Sequence, residues 1–236
     1  MKDHKLLIFA AVTTLCCIAI ACTLFAVFGL GLLAENELPL YTFEQVPSAH
    51  EGYLRTTLTS GSTIYVMDYE EYALVAATSA PTEMIGRFPV IIGNSGLYAI
   101  PGQDPSAYVL EFDPMYQQVH RNINHPPFDW VNADFQKLRV MFLTANPKET
   151  EDADIIHNVH TALIGAAIMI VPFQQDGNYS GYENYTLLLF SDELPGLMYA
   201  AGLHIAPDGS VYLAENMVSN VWHPAGMPFR NWLQDR

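Results

Sequence analysis

The chain has 236 residues and carries 25 acidic against 10 basic side chains, a formal net charge of −15. That length suits one domain plus a short extension, and so negative a charge argues against nucleic acid or anionic headgroups as partners of the folded part. The three cysteines, Cys16, Cys17 and Cys22, all lie near the N-terminus, which excludes a disulfide framework or a cysteine metal site in the remainder.

Residues 6–34 form 29 consecutive positions without a charge, nearly all apolar. A helix of roughly 20 such residues spans the hydrocarbon core of a bilayer, so the run predicts a transmembrane helix with room for tilt. Lys2 and Lys5 precede it and Glu35 and Glu37 follow it, which places residues 1–5 in the cytoplasm and the rest outside. A cleavable signal has an apolar core of only about 7 to 15 residues. Ala19-Ile20-Ala21-Cys22 offers a lipoprotein processing site as the alternative, but the chain stays apolar beyond Cys22, and either route leaves the domain attached to a membrane. Only Lys2, Asp3 and Lys5 of the charged residues precede position 35, so 24 acidic and 8 basic side chains fall on the remainder, a net of −16.

Residues 35–52 contain two prolines and no sustained periodicity, which predicts a stalk, with the folded domain occupying 53–236. Short runs rich in β-branched and aromatic residues then recur at 53–59, 63–67, 72–78, 89–92, 97–100 and 108–112, the rhythm of an antiparallel sheet. Ser60-Gly61 and Asn94-Ser95-Gly96 supply turn residues between them. Residues 113–135 carry Pro114, Pro126 and Pro127 and read as loop, with a short helix over 115–122 after the Asp-Pro start. Strand composition returns at 138–144. Thr150 followed by Glu151, Asp152 and Asp154 forms a helix start, and apolar residues at helical spacing predict one amphipathic helix over about 150–165. The apolar run 166–171 is consistent with a buried strand or with continuation of that helix. Residues 185–190 and 197–206 read as strands. Ala206-Pro207-Asp208-Gly209-Ser210 forms the turn of a hairpin with its arms at 203–206 and 210–213. The aromatic and proline-rich tail beyond Glu215 reads as coil covering the sheet.

Asp176, Asn178 and Ser180 alternate before Gly181, and Glu183 follows. Oxygen ligands at alternate positions closed by a glycine are what a calcium loop needs, although Leu187 stands where a bidentate acid belongs, and a polar hairpin loop explains the same residues. His157 and His160 lie three apart on the predicted helix, a spacing that lets two imidazoles share a metal, while the general base of an H-E-x-x-H site is absent. Gly93-Asn94-Ser95-Gly96, with His50 and Asp68 upstream, resembles the serine motif of trypsin-like proteases, but the intervals are too short for that fold and a turn accounts for the motif. Neither a phosphate loop nor a dinucleotide fingerprint occurs.

These readings add up to a β-rich α+β domain, mainly antiparallel sheet with one amphipathic helix, held outside a cell membrane by a single N-terminal transmembrane helix. The expected function is that of an extracytoplasmic binding or envelope-associated interaction module, with the lipid bilayer as partner through 6–34 and an envelope protein as a further one. A metal-dependent hydrolase using His157 and His160, and a calcium-stabilised surface protein, are the alternatives.

Overall fold

A computed structural model describes residues 38–50, 52–77, 81, 83–90, 94–113, 116–142, 146–166, 169–171, 179 and 181–235. The apolar run 6–34 lies outside these, and no helix among the described residues is long and apolar enough to cross a membrane. Among the described residues, two antiparallel sheets and two α-helices build the domain, a β-rich α+β fold.

The first sheet contains β1 (Thr42–Pro47), β2 (Leu54–Ser60), β3 (Thr63–Met67), β5 (Met84–Pro89), β6 (Asn94–Ala99), β7 (Tyr108–Asp113) and β8 (Tyr116–Asn122), in the spatial order β1-β2-β3-β8-β7-β6-β5. Its two edges meet: Leu40 and Arg87 form a bridge, and the Tyr41 N–H donates to the Arg87 carbonyl at 2.8 Å. The sheet therefore curls into a barrel whose two edge strands are joined at this one seam contact. Side chains alternate across the strands, and Tyr41, Leu58, Tyr65, Phe88, Leu97 and Val109 meet on the inner face as one buried cluster.

Three expectations fail here. The segment 35–52, read as a stalk, contributes β1, whose six side chains are all exposed. No apolar alternation marks this strand, because it is recruited through its backbone ladder to β2, from Thr42↔Thr59 to Pro47↔Leu54. Residues 116–122, read within a short helix, form β8 instead. It pairs with β7 from Tyr116 to Arg121 and with β3 at Tyr65↔Asn122 and Val66↔Arg121. Intrinsic helix preference is worth tenths of a kilocalorie per residue and yields to two neighbouring strands. Asn94 and Ser95, read as turn residues, likewise belong to β6, opposite Pro89 and Phe88.

The second sheet has eight strands: β4 (Leu74–Ala76), β9 (Lys137–Met141), β10 (Lys148–Thr150), β11 (Met169–Ile170), β12 (Glu183–Phe190), β13 (Leu197–Ile205), β14 (Val211–Ala214) and β15 (Val221–Pro224). The main path runs β10-β9-β12-β13-β14-β15-β11, and β4 pairs with the start of β13. The predicted β13–β14 hairpin is present, with Ile205↔Val211 closest to the turn and Gly209 at φ +82°, a left-handed value that glycine adopts freely. Only Met169 and Ile170 of the run 166–171 form a described strand, and Ile170 is largely exposed rather than buried.

Helix α1 (Ala153–Ile164) begins at Asp152, whose carboxylate accepts from the Asp154 and Ile155 N–H groups at 2.9 and 3.4 Å. Such a cap is worth about 1 kcal/mol. Ile156, Val159 and Leu163 form its buried stripe. The tail beyond Glu215, expected as coil, supplies β15 and a second helix, α2 (Met227–Gln234). Pro228 sits in its first turn, where no N–H is needed, and Phe229 and Leu233 are buried one turn apart. Both helices cover one face of the second sheet, in a core that includes Leu138, Leu187, Leu203 and Leu213.

The barrel and the second sheet share a further core. Outward-facing Tyr108, Leu110 and Val119 meet Leu74, Ala76, Leu194 and Leu197. At its margin lies an ion pair: Arg121 Nε is 2.5 Å from Glu71 Oε1, Arg121 Nη1 donates to the His125 carbonyl at 2.6 Å, and Glu71 Oε2 accepts from the Asp68 N–H. The charges compensate each other within the protein and are hydrogen-bonded, as buried charges must be.

Candidate functional site: a half-filled barrel

The inner apolar cluster fills only one part of the barrel. Beyond it a cavity of about 880 Å³ remains, within the range of sites that hold small organic ligands. Its walls follow from strand alternation. Phe43 and Gln45 of β1 face inward beside Thr56 of β2, which lies opposite Met67 of β3. Phe88 and Pro89 of β5, with Val90, form another side, and Tyr72 adds a ring. Phe43 stacks on Phe88 with centroids 5.9 Å apart. Phe43 and Val90 are exposed for about two-fifths of their surface (43% and 40%) and form an apolar rim.

The polar groups are few. Glu111 of β7 and Gln118 of β8 stand directly opposite each other and line the cavity, as do Gln45 and Thr56. Glu111 is only 4% exposed, and its Oε2 lies 2.9 Å from Nε2 of the fully buried His120. The other imidazole nitrogen, His120 Nδ1, is buried without a hydrogen-bond partner. Glu111 is the one carboxylate among the described lining residues, which include no lysine, arginine or histidine. Burial, aided by the nearby Asp68 carboxylate, raises the Tyr72 hydroxyl above the ordinary phenol range, so it serves at neutral pH as a neutral hydrogen-bonding group.

A chain of tyrosines lies beside this cavity. Tyr53 packs edge-on against Tyr69 and Tyr72, with centroids 4.7 and 5.7 Å away, and His50 stacks on Tyr69 at 4.2 Å. The Tyr69 hydroxyl donates to the Glu215 carboxylate, and the Tyr199 hydroxyl donates to the Glu215 carbonyl. Burial pushes Tyr53 up to about 12, with the Tyr179 and Glu215 charges adding to the effect. Burial and the Glu215 carboxylate raise Tyr69 further still. These phenols stay protonated and hold the barrel to the second sheet.

The residues singled out from sequence fall elsewhere. His157 and His160 on α1 line a separate hollow of about 430 Å³ with Asn132 and Asp134. His157 Nε2 lies 3.3 Å from the Thr161 hydroxyl, and His160 Nε2 is 2.9 Å from the Trp130 carbonyl, with its ring edge-on to Phe135. Among the described residues no three His, Cys, Asp or Glu side chains converge on a common metal position. Asp176, Asn178 and Ser180 lie outside the described residues, and Glu183 accepts from the Tyr185 hydroxyl at 2.7 Å. His50 stacks on Tyr69, while Asp68 accepts from Ser48, so neither is arranged with Ser95 as a proteolytic triad.

Sequence reasoning missed Glu111 and Gln118, and the pairing of Glu111 with His120. The signal was an acid at an inward position of the otherwise apolar run Tyr108-Val109-Leu110-Glu111-Phe112, answered by polar residues on the next strand. Comparisons with protein-family models, curated proteins and solved structures find no significant match to this chain.

Proposed function

We propose that this chain is a membrane-tethered, extracytoplasmic binding module whose small-molecule ligand occupies the open part of the barrel. The observation that carries the reading is the cavity: about 880 Å³, with apolar and aromatic walls and a few polar groups converging within it, the combination that small-molecule sites share. The tether is supported by the apolar run 6–34 and its asymmetric charges. Only five residues, 35–39, lie in sequence between the end of that run and Leu40, where the folded unit begins.

The ligand site is tested with the full-length chain in nanodiscs of zwitterionic lipid, using a phenylalkanol as probe and empty nanodiscs as the blank. Saturable binding is expected. Met67→Trp, which fills the cavity, abolishes it, and Phe43→Ser at the exposed rim weakens it without burdening the core. Binding unchanged in both variants would refute the assignment. Orientation is tested with Ser106→Cys, an exposed position in a domain whose native cysteines are confined to the apolar run. A membrane-impermeant maleimide reacts with it on intact cells if the domain is outside, and protection reverses the topology.

A further inference from the structure

Resting on that reading, we infer that the cavity takes the alkyl chain of an uncharged single-chain lipid, and that the chain enters from the bilayer through the seam between β1 and β5. Pro89 is what holds that seam open. Leu40 and Arg87 pair in parallel, and the Tyr41 N–H donates to the Arg87 carbonyl. In a parallel ladder the next bond would run from the N–H of residue 89 to the Tyr41 carbonyl, and Pro89 has no N–H to give. Among the described residues the seam therefore stops after a single bridge, and β1 keeps β2 as its partner from Thr42 to Pro47. Past the break stand Phe43 on one side and Pro89 and Val90 on the other, all of them lining the cavity. The exposed rim formed by Phe43 and Val90 thus lies at an edge that a continued ladder would have sealed.

The chemistry of that opening selects the ligand. Leu40, at the head of the seam, is 56% exposed, so the way in is apolar as well as the interior. An alkyl chain gains along this whole route, whereas a polar solute would have to shed its water at the rim. Gln45, Thr56 and Gln118 line the cavity with uncharged amides and a hydroxyl, which suit the hydroxyl or ester of a neutral head. A fatty-acid carboxylate of the same length meets no lysine, arginine or histidine among the described lining residues and is opposed by the net charge of −15. The bilayer is the source that the connection favours. Five residues, 35–39, join the apolar run to Leu40, a reach of roughly 20 Å at full extension, so the seam begins at the residue where the tether ends. A chain that passes directly from lipid to cavity never exposes its methylene groups to water, the step that makes free diffusion of such a ligand costly.

The test uses the full-length chain in zwitterionic nanodiscs doped with a monoacylglycerol that carries a diazirine at the end of its acyl chain. After irradiation the crosslinks are mapped by peptide mass spectrometry. Crosslinks are expected on the peptides that hold Met67 and Phe88, above a background in 6–34, and Met67→Trp should abolish the cavity set alone. Probe in the protein's own disc should label the cavity several-fold faster than probe supplied in separate, protein-free discs. The fatty acid with the same diazirine chain should label it several-fold less. Pro89→Val, which restores the missing N–H, should slow cavity labelling from the same disc. Crosslinks confined to 6–34, equal rates from the two sources, a fatty acid that labels as well as the glyceride, or a Pro89→Val rate equal to the parent's would each overturn the inference. Saturable phenylalkanol binding would then leave the binding-module reading standing, whereas absence of both cavity crosslinks and phenylalkanol binding would sink the two together.

Discussion

Acidification should destabilise this domain through His204 well before its carboxylates titrate. The imidazole is 2% exposed, stacked on Trp222 with centroids 4.1 Å apart, and its Nδ1 lies 2.7 Å from Asn184 Oδ1. Burial lowers its pKa from 6.5 to about 4. Above the unfolded value both states are neutral and the group adds no pH dependence. As pH falls below 6.5 the unfolded chain takes up a proton that the folded domain refuses until about 4, so stability declines across that window and levels off beneath it. The full difference corresponds to roughly 3 kcal/mol, of which about 2 kcal/mol accumulates between about pH 7 and pH 5. His223 is shifted in the same direction by burial, so the contribution of His204 must be isolated by substitution. His204→Asn retains a donor near the Nδ1 position toward Asn184 and cannot take up the proton. Urea unfolding of the full-length chain in nanodiscs, followed by tryptophan emission at a series of pH values, gives the slope for each protein. The variant should start less stable, having lost the stack on Trp222, yet show a distinctly shallower decline between about pH 6.5 and pH 5. Equal slopes would refute the reasoning, as would an imidazole NMR titration of His204 with its midpoint near 6.5 rather than 4.

Three further expectations concern the frame around the site. Arg121→Met leaves Glu71 uncompensated at 2% exposure and should cost about 3–5 kcal/mol, with much of the loss recovered when Glu71→Leu is added; a single variant as stable as the parent would remove the ion pair from the account. Gly196 has φ +76°, and a Cβ there would lie 1.8 Å from the Pro101 carbonyl oxygen, so Gly196→Ala should lower stability by roughly 3 kcal/mol or more, read as a lower urea midpoint. Asp152→Ala removes the α1 cap and should cost about 1 kcal/mol, with hydrogen exchange accelerated in the first turn of that helix and unchanged in β13.

Features encoded in a few consecutive residues were legible from the chain alone. The β13–β14 hairpin follows from Pro207-Asp208-Gly209, since φ preferences act within the turn itself. The start of α1 follows from its acids, although the cap is Asp152 and Thr150 only receives the Asp152 N–H at 3.1 Å. The acidic character and the long uncharged run 6–34 are matters of composition. Closure of the barrel, in contrast, joins Leu40 to Arg87 through backbone groups that leave no mark in side-chain pattern. Both β1, with no buried face, and β8, with a passable helix sequence, exist because neighbouring strands offer their hydrogen bonds. The meeting of Glu111 with His120 across a hairpin, and the empty space beside them, depends on how far the inner side chains of seven strands fill a volume that no single segment defines.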